Sequence, residues 1–160
     1  MTLAEAKKHL KQIERGPATI ARAVKGLDRK TLSYKPAPNK WSIMEILGHL
    51  ADMEIVLGHR LRQALADEKP VVSPIDQDAW AAHLHYLEAT PEEHLEAFMA
   101  ARRANLRLLR LIQEEDLPRG AFHPELNRLH TVQEVIERML RHDPNHLGQI
   151  ERIKKLAGKS

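Results

Sequence analysis

The chain has 160 residues, 42% hydrophobic and 29% charged, with a formal net charge of +3 and no cysteine. That is one globular domain, residues 1–160, with material for a single core; it excludes disulfides, thiolate metal ligands and a cysteine nucleophile, and the mild basicity with no basic block interleaved with aromatics argues against a nucleic-acid partner. No run approaches the roughly 18 apolar residues needed to cross a bilayer, and the opening MTLAEAKKHLKQIE has no continuous apolar stretch, so a cytoplasmic protein is expected.

Abundant Ala, Leu, Glu, Lys and Arg with few β-branched or aromatic residues favour helix over sheet. The first helix is expected from Thr2 to about Val24, started by a Thr2/Glu5 capping box, with a possible bend at Gly16-Pro17. KGLDRKTLSYKPAPNK reads as loop because Pro36 and Pro38 cannot continue a helix. A second helix opens at WSIME, with Ser42 as N-cap, Glu45 as its reciprocal partner and Trp41 stapled onto Ile46, and runs to about Ala66. The turn-rich DEKPVVSPIDQ leads into a short helical piece, DAWAAHLHYLEA. Thr90, Pro91 and Glu93 start a third long helix that ends near Glu115. DLPRGAFHPELNRLH reads as loop, and the TVQE box at Thr131 starts a fourth helix reaching about Leu156. Four long helices with four matching starts give an all-α four-helix bundle with a short extra helix between the second and third.

Ten histidines are the anomaly in this composition. The apolar stripe of the last helix is Val132, Val135, Met139, His142, His146, Ile150 and Ile153, so two histidines stand where the pattern asks for core residues. His49 lies three after Ile46 and four before Met53, on the buried side of the second helix. Three imidazoles then face the interior, where each unsatisfied group costs about 1–3 kcal/mol. A shared metal ion removes that cost, and three protein ligands leave a position open for water or substrate. The competing reading is a set of core histidines bonded to carbonyls. His59, His83, His85, His94, His123 and His130 are assigned to surface or loop.

Carboxylates placed to orient these rings are Glu45 and Asp52 around His49, with Asp52 preferred because Glu45 already caps, and Asp143 beside His142; Gln149 stands near His146. Pro144 lies between the two histidines of the last helix, yet the apolar phase continues past it, so a kinked but unbroken helix is expected. On the third helix Arg102 and Asn105 fall at the centre of the face defined by Leu95, Phe98, Leu109 and Ile112. They are candidate substrate-binding residues, with an internal salt bridge as the alternative for Arg102. Trp80 and Asp78 are candidates to close over the site, with plain packing as the alternative for Trp80, while Arg103, Arg107 and Arg110 form a solvated face.

The blocks KPAPNKWSIMEILGHLADME, DQDAWAA and HTVQEVIERMLRHDPNHLGQIERI resemble the DinB/YfiT-like family of metal-binding four-helix bundles over nearly the whole chain. The resemblance implies a metal triad at His49, His142 and His146, up-down-down-up wiring, frequent homodimers and a divalent ion such as Zn, Ni or Fe. It further implies chemistry on a small-molecule substrate, with either water or a low-molecular-weight thiol (bacillithiol or mycothiol) as the activated group. The rival expectation is a non-catalytic, metal-containing dimeric binding module of the stress response.

Overall fold

Each long helix begins where the sequence supplies a capping box. In the computed structural model, which describes residues 1–158, these helices are α1 (Leu3–Val24), α3 (Ile43–Ala66), α5 (Pro91–Leu109) and α6 (Val132–Ala157). In every one the N-cap hydroxyl accepts from the third backbone N–H, and the glutamate there reaches back: Thr2/Glu5, Ser42/Glu45, Thr90/Glu93 and Thr131/Glu134. Two short helices join them, α2 (Arg29–Ser33) and α4 (Gln77–His83). Among the described residues the molecule is a bundle of four long helices, helical apart from one small hairpin.

Four local expectations are corrected. The segment after α1 is not all loop, because Asp28 accepts from Thr31 N–H at 2.8 Å and caps the single turn of α2. The connector helix starts at Gln77 under an Asp76 cap and stops at His83, not Ala89. Helix α5 ends at Leu109, short of Glu115, and a separate 3₁₀ turn spans Glu114–Asp116. The 116–130 stretch contains an antiparallel hairpin, β1 (Gly120–His123) with β2 (Arg128–Thr131), in register Gly120↔Thr131 through His123↔Arg128. Asn127, at φ 48°, turns the chain between the strands in the left-handed region that asparagine tolerates.

The core has two apolar regions. In one, the first half of α1 (Leu10, Ile13) meets the second half of α3 (Met53, Leu57, Leu61), the end of α5 (Leu106, Leu109) and the start of α6 (Val135, Met139). In the other, Ile20 and Val24 of α1 meet Ile43–Leu50 of α3, Leu95 and Phe98 of α5, and Ile150 and Ile153 of α6.

At mid-height the bundle also buries a charged network, with Arg102 of α5, 2% exposed, at its centre. Its Nη1 donates to Asp143 Oδ2 at 2.8 Å and to the Ile13 carbonyl at 2.7 Å; its Nη2 donates to Asp143 Oδ1 at 3.0 Å and pairs with Glu54 at 2.9 Å. Phe98 lies against the guanidinium, 4.9 Å from centroid to Cζ. The Ile13 carbonyl accepts from Arg102 for a reason visible in the chain. Pro17, four residues on, has no N–H to give it, so an in-helix proline leaves an acceptor that a buried cation takes up. Asn105 extends the network, donating from Nδ2 to the Glu54 carbonyl at 2.8 Å and to Glu54 Oε1 at 2.9 Å, and accepting from Arg62 at 2.9 Å. Two glycines make room: a Cβ on Gly16 would collide with the Asp143 carboxylate, and one on Gly58 with the Asn105 amide.

Removing the central cation would leave two carboxylates buried without a counter-charge. Arg102→Met is therefore expected to lower the unfolding free energy by about 3–5 kcal/mol, seen as a lower urea midpoint at unchanged slope. A loss below about 0.5 kcal/mol would mean that the network contributes nothing to the fold.

Candidate metal centre

Helix α3 carries His49 and helix α6 carries His142 and His146 one turn apart, and the packing of these helices brings the three rings together. His142 Nε2 lies 3.1 Å from His49 Nε2 and 3.2 Å from His146 Nε2. One ligand nitrogen from each residue falls within 4.8 Å of the other two. His49 is 3% exposed and His146 8%, and His142 is half-buried.

The donor set fits a divalent ion. An imidazole nitrogen offers one N–H or one lone pair, so His142 Nε2 makes one good hydrogen bond and cannot satisfy two neighbouring nitrogens. Three Nε2 lone pairs aimed at one point satisfy all three rings at once. Bonds of about 2.0–2.1 Å in tetrahedral array hold such nitrogens about 3.3 Å apart, close to the separations found. The tautomer agrees for His146, whose Nδ1–H donates to Gln149 Oε1 at 2.8 Å and so leaves the lone pair on Nε2.

Burial keeps the rings neutral. Desolvation, followed by the neighbouring His146 and the Arg138 guanidinium, holds His49 down at about 3. Desolvation and the other two histidines hold His142 at about 2. His146 is lowered for the same first reason, partly offset by Gln149 and Asp143. Trp41 walls the cluster, its ring 4.7 Å from that of His49 and parallel to that of His146 within 7°.

The histidines open onto a cleft of about 820 Å³, within the range of small-molecule sites. The loop before α3 (Pro36, Asn39, Lys40, Trp41), the start of α4 (Gln77, Asp78) and one face of α6 line it.

The structure sorts the residues singled out in the sequence. His49, His142 and His146 come together, Gln149 orients His146, and Asp78 reaches the cleft. Asp52 accepts instead from the Tyr86 hydroxyl, and this bond, after burial, raises the phenol above its usual range. Asp143 turns away from the imidazoles to hold Arg102 with both oxygens, because the helix puts it on a different side from its neighbour His142. Arg102 and Asn105 do not line the cleft, since the interior network uses their polar groups, and Trp80 is not among its walls. Glu45 is engaged as well: burial alone would raise its carboxyl, but Lys35 at 2.6 Å and the Ser42 cap outweigh that and keep it low. His123 is buried, not exposed as expected, with its Nδ1 unpartnered. Trp41 as a wall of the site, and the arginines of α6 at positions 138, 141 and 152, went unnoticed in the sequence. The signal for the arginines was a polar stripe running through Asn145 and Gln149 at spacings of three and four alongside the histidine stripe.

The family model described as the DinB superfamily matches residues 12–150. A Bacillus subtilis (strain 168) protein named "Putative metal-dependent hydrolase YfiT" is 24% identical over 151 residues, spanning 94% of this chain and 85% of its own. An Oceanobacillus iheyensis protein with the same kind of name is 27% identical over 157 residues, spanning 94% and 86%. The solved structure of the Bacillus subtilis protein, described as having an unusual four-helix bundle topology, matches with a TM-score of 0.91 at 22% identity, over 99% of this chain and 90% of that one. A mycothiol-dependent maleylpyruvate isomerase matches with a TM-score of 0.69 at 17% identity, over 94% of this chain and 63% of that one.

The neutral rings give the fold a pH dependence of definite sign. In the unfolded chain each takes a proton near pH 6.5, while in the folded chain His49 and His142 resist until far lower and His146 is lowered as well, so below 6.5 the unfolded state binds more protons. Stability from these groups is complete above about pH 7 and falls as the pH drops from 6.5 toward 3, by up to about 1.4 kcal/mol per pH unit for each ring. In chelator-treated protein, urea midpoints between pH 7.5 and 4.5 should fall less steeply for His142→Gln than for the native chain. Equal slopes would contradict the assignment.

Proposed function

The chain belongs to the DinB superfamily, and on that premise we propose that it is a divalent-metal-dependent enzyme whose ion is held by His49, His142 and His146. The observation that carries this reading is the convergence of three imidazole nitrogens, two from buried histidines and one from a half-buried one, on an open cleft. A bound ion would supply Lewis acidity, lowering the pKa of a water or thiol so that its anion is available at neutral pH. The chain's own groups do the rest. Gln149 fixes the tautomer of His146. Trp41 shields one side of the imidazoles from solvent. Asp78 is the carboxylate among the lining residues, and so the candidate to take a proton from an incoming nucleophile.

Hydrolysis is the leading reaction class, in keeping with the names of the relatives. Thiol chemistry is the second reading. The chain contains no cysteine, so any thiol would enter through the cleft as a small cofactor, and a structural neighbour is named as mycothiol-dependent. Turnover separates both from a non-catalytic, metal-containing module.

Native protein purified without chelator should carry about one divalent ion per chain by elemental analysis. His142→Ala should lose it and, with it, about 100-fold or more of any turnover found against ester, amide and bacillithiol, mycothiol or glutathione conjugate substrates. Gln149→Leu should weaken the ion's affinity by about 10–100-fold with the fold intact. A native chain that binds no ion at micromolar metal would end this reading.

A further inference from the structure

Helix α6 presents two parallel stripes. One carries the histidines. Beside it, at spacings of three and four, run Arg138, Arg141, Asn145, Gln149 and Arg152, all lining the cleft. Lys40 joins them from the loop before α3, and Asp78 is the single carboxylate among the lining residues. None of these four cations forms an ion pair with any described residue. Some other surface cations do have acids placed against them: Arg110 with Glu14, Arg119 with Asp116, Arg128 with Glu134, Lys154 with Glu151.

Arg138 and Arg141, three residues apart on one face of α6, repel each other; Arg152 lies eleven residues further along the helix, and all three line a cleft whose imidazoles bring no negative charge. An ion bound there would add two further positive charges to the same cleft. That concentration of positive charge calls for a mobile anion, and guanidinium groups are the side chains best matched to planar oxyanions.

We infer that the cleft selects a small anionic substrate, and that Arg138 and Arg141, neighbours on one turn of α6, grip its carboxylate or phosphate group while the reacting centre faces the histidines and Arg152 adds to the positive field from further along the cleft. This deepens the metal reading and rests on it for the position of the reacting centre, but the grip itself is a property of the arginines. A positive cleft also draws anions in from solution, an effect that weakens with salt.

The test uses the whole chain, metal-loaded and metal-free, with succinate and inorganic phosphate as probes and neutral succinamide as control, followed by titration calorimetry at low ionic strength. At least one anion should bind while succinamide does not. Arg138→Gln and Arg141→Gln should each weaken that binding by about tenfold or more and Arg152→Gln by less, with metal content and urea midpoint unchanged. Preference for succinate identifies a carboxylate substrate, and preference for phosphate a phosphorylated one. Equal affinity for succinate and succinamide, no binding of either anion, or anion affinity indifferent to all three substitutions would overturn the inference. Metal content is measured on the same samples: a chain that takes up no ion but still binds anions through the arginines defeats the metal reading and leaves the anion grip standing.

Discussion

The buried pairing of Arg102 with Glu54 and Asp143 holds the rest in place. Glu54 lies five residues after His49 on α3, and Asp143 directly follows His142 on α6. By clamping both carboxylates, one guanidinium on α5 sets the sliding and rotation of α3 against α6, and so the distance between the imidazoles they carry. Apolar packing is poorly suited to that task, because hydrophobic burial is non-directional and tolerates small shifts. Charged hydrogen bonds with fixed fork geometry do not. The angstrom-scale convergence of three ring nitrogens therefore depends on a polar layer set between two apolar ones.

The same layer accounts for oddities in the helices. Gly16 and Pro17 stand together in α1, where neither is a good helix former. Gly16 lets Asp143 approach, and Pro17 leaves the Ile13 carbonyl for Arg102. Pro144 follows Asp143 in the corresponding part of α6, facing the same region of α1 as Gly16, and the helix runs through it unbroken. At Pro17 a residue that looks like a break in the sequence exchanges a backbone hydrogen bond for one from the buried charged network.

How much of this the sequence disclosed follows from the range of each interaction. The helix starts were legible because a capping box is complete within four residues. The histidine triad was legible because a 3.6-residue period records which face is buried, and two histidines interrupted an otherwise apolar stripe. The hairpin was not, because its strands have four residues each and its pairing with the 70–72 segment, through Val72 N–H to the Phe122 carbonyl at 3.0 Å, joins stretches fifty residues apart. The position of Arg102 on a buried face was correctly read from periodicity. Its anion was not, because Glu54 and Asp143 come from other helices and nothing local marks them. Asp143 was drawn to the wrong neighbour for the same reason: adjacency in sequence to His142 says little about direction when each residue turns by about 100°.

These two levels of organisation act on the same charge balance. The three imidazoles are neutral and cannot offset the charge of an ion, and the cleft above them is positive. Below them the buried layer holds two carboxylates and one guanidinium. The Asp143 carboxylate opposes, at His146, the depressing effect of burial and of Arg138. The interior thus supplies a negative charge to His146 through Asp143, while Arg102 of the same layer acts in the opposite direction on His142, and the open side is lined by arginines. Protons compete poorly for the rings, because burial has already pushed their basicity far below neutral, so the lone pairs stay available to a metal at any physiological pH. A surface triad of the same residues would lose both advantages: its rings would titrate near neutrality, and water would screen the carboxylates beneath them.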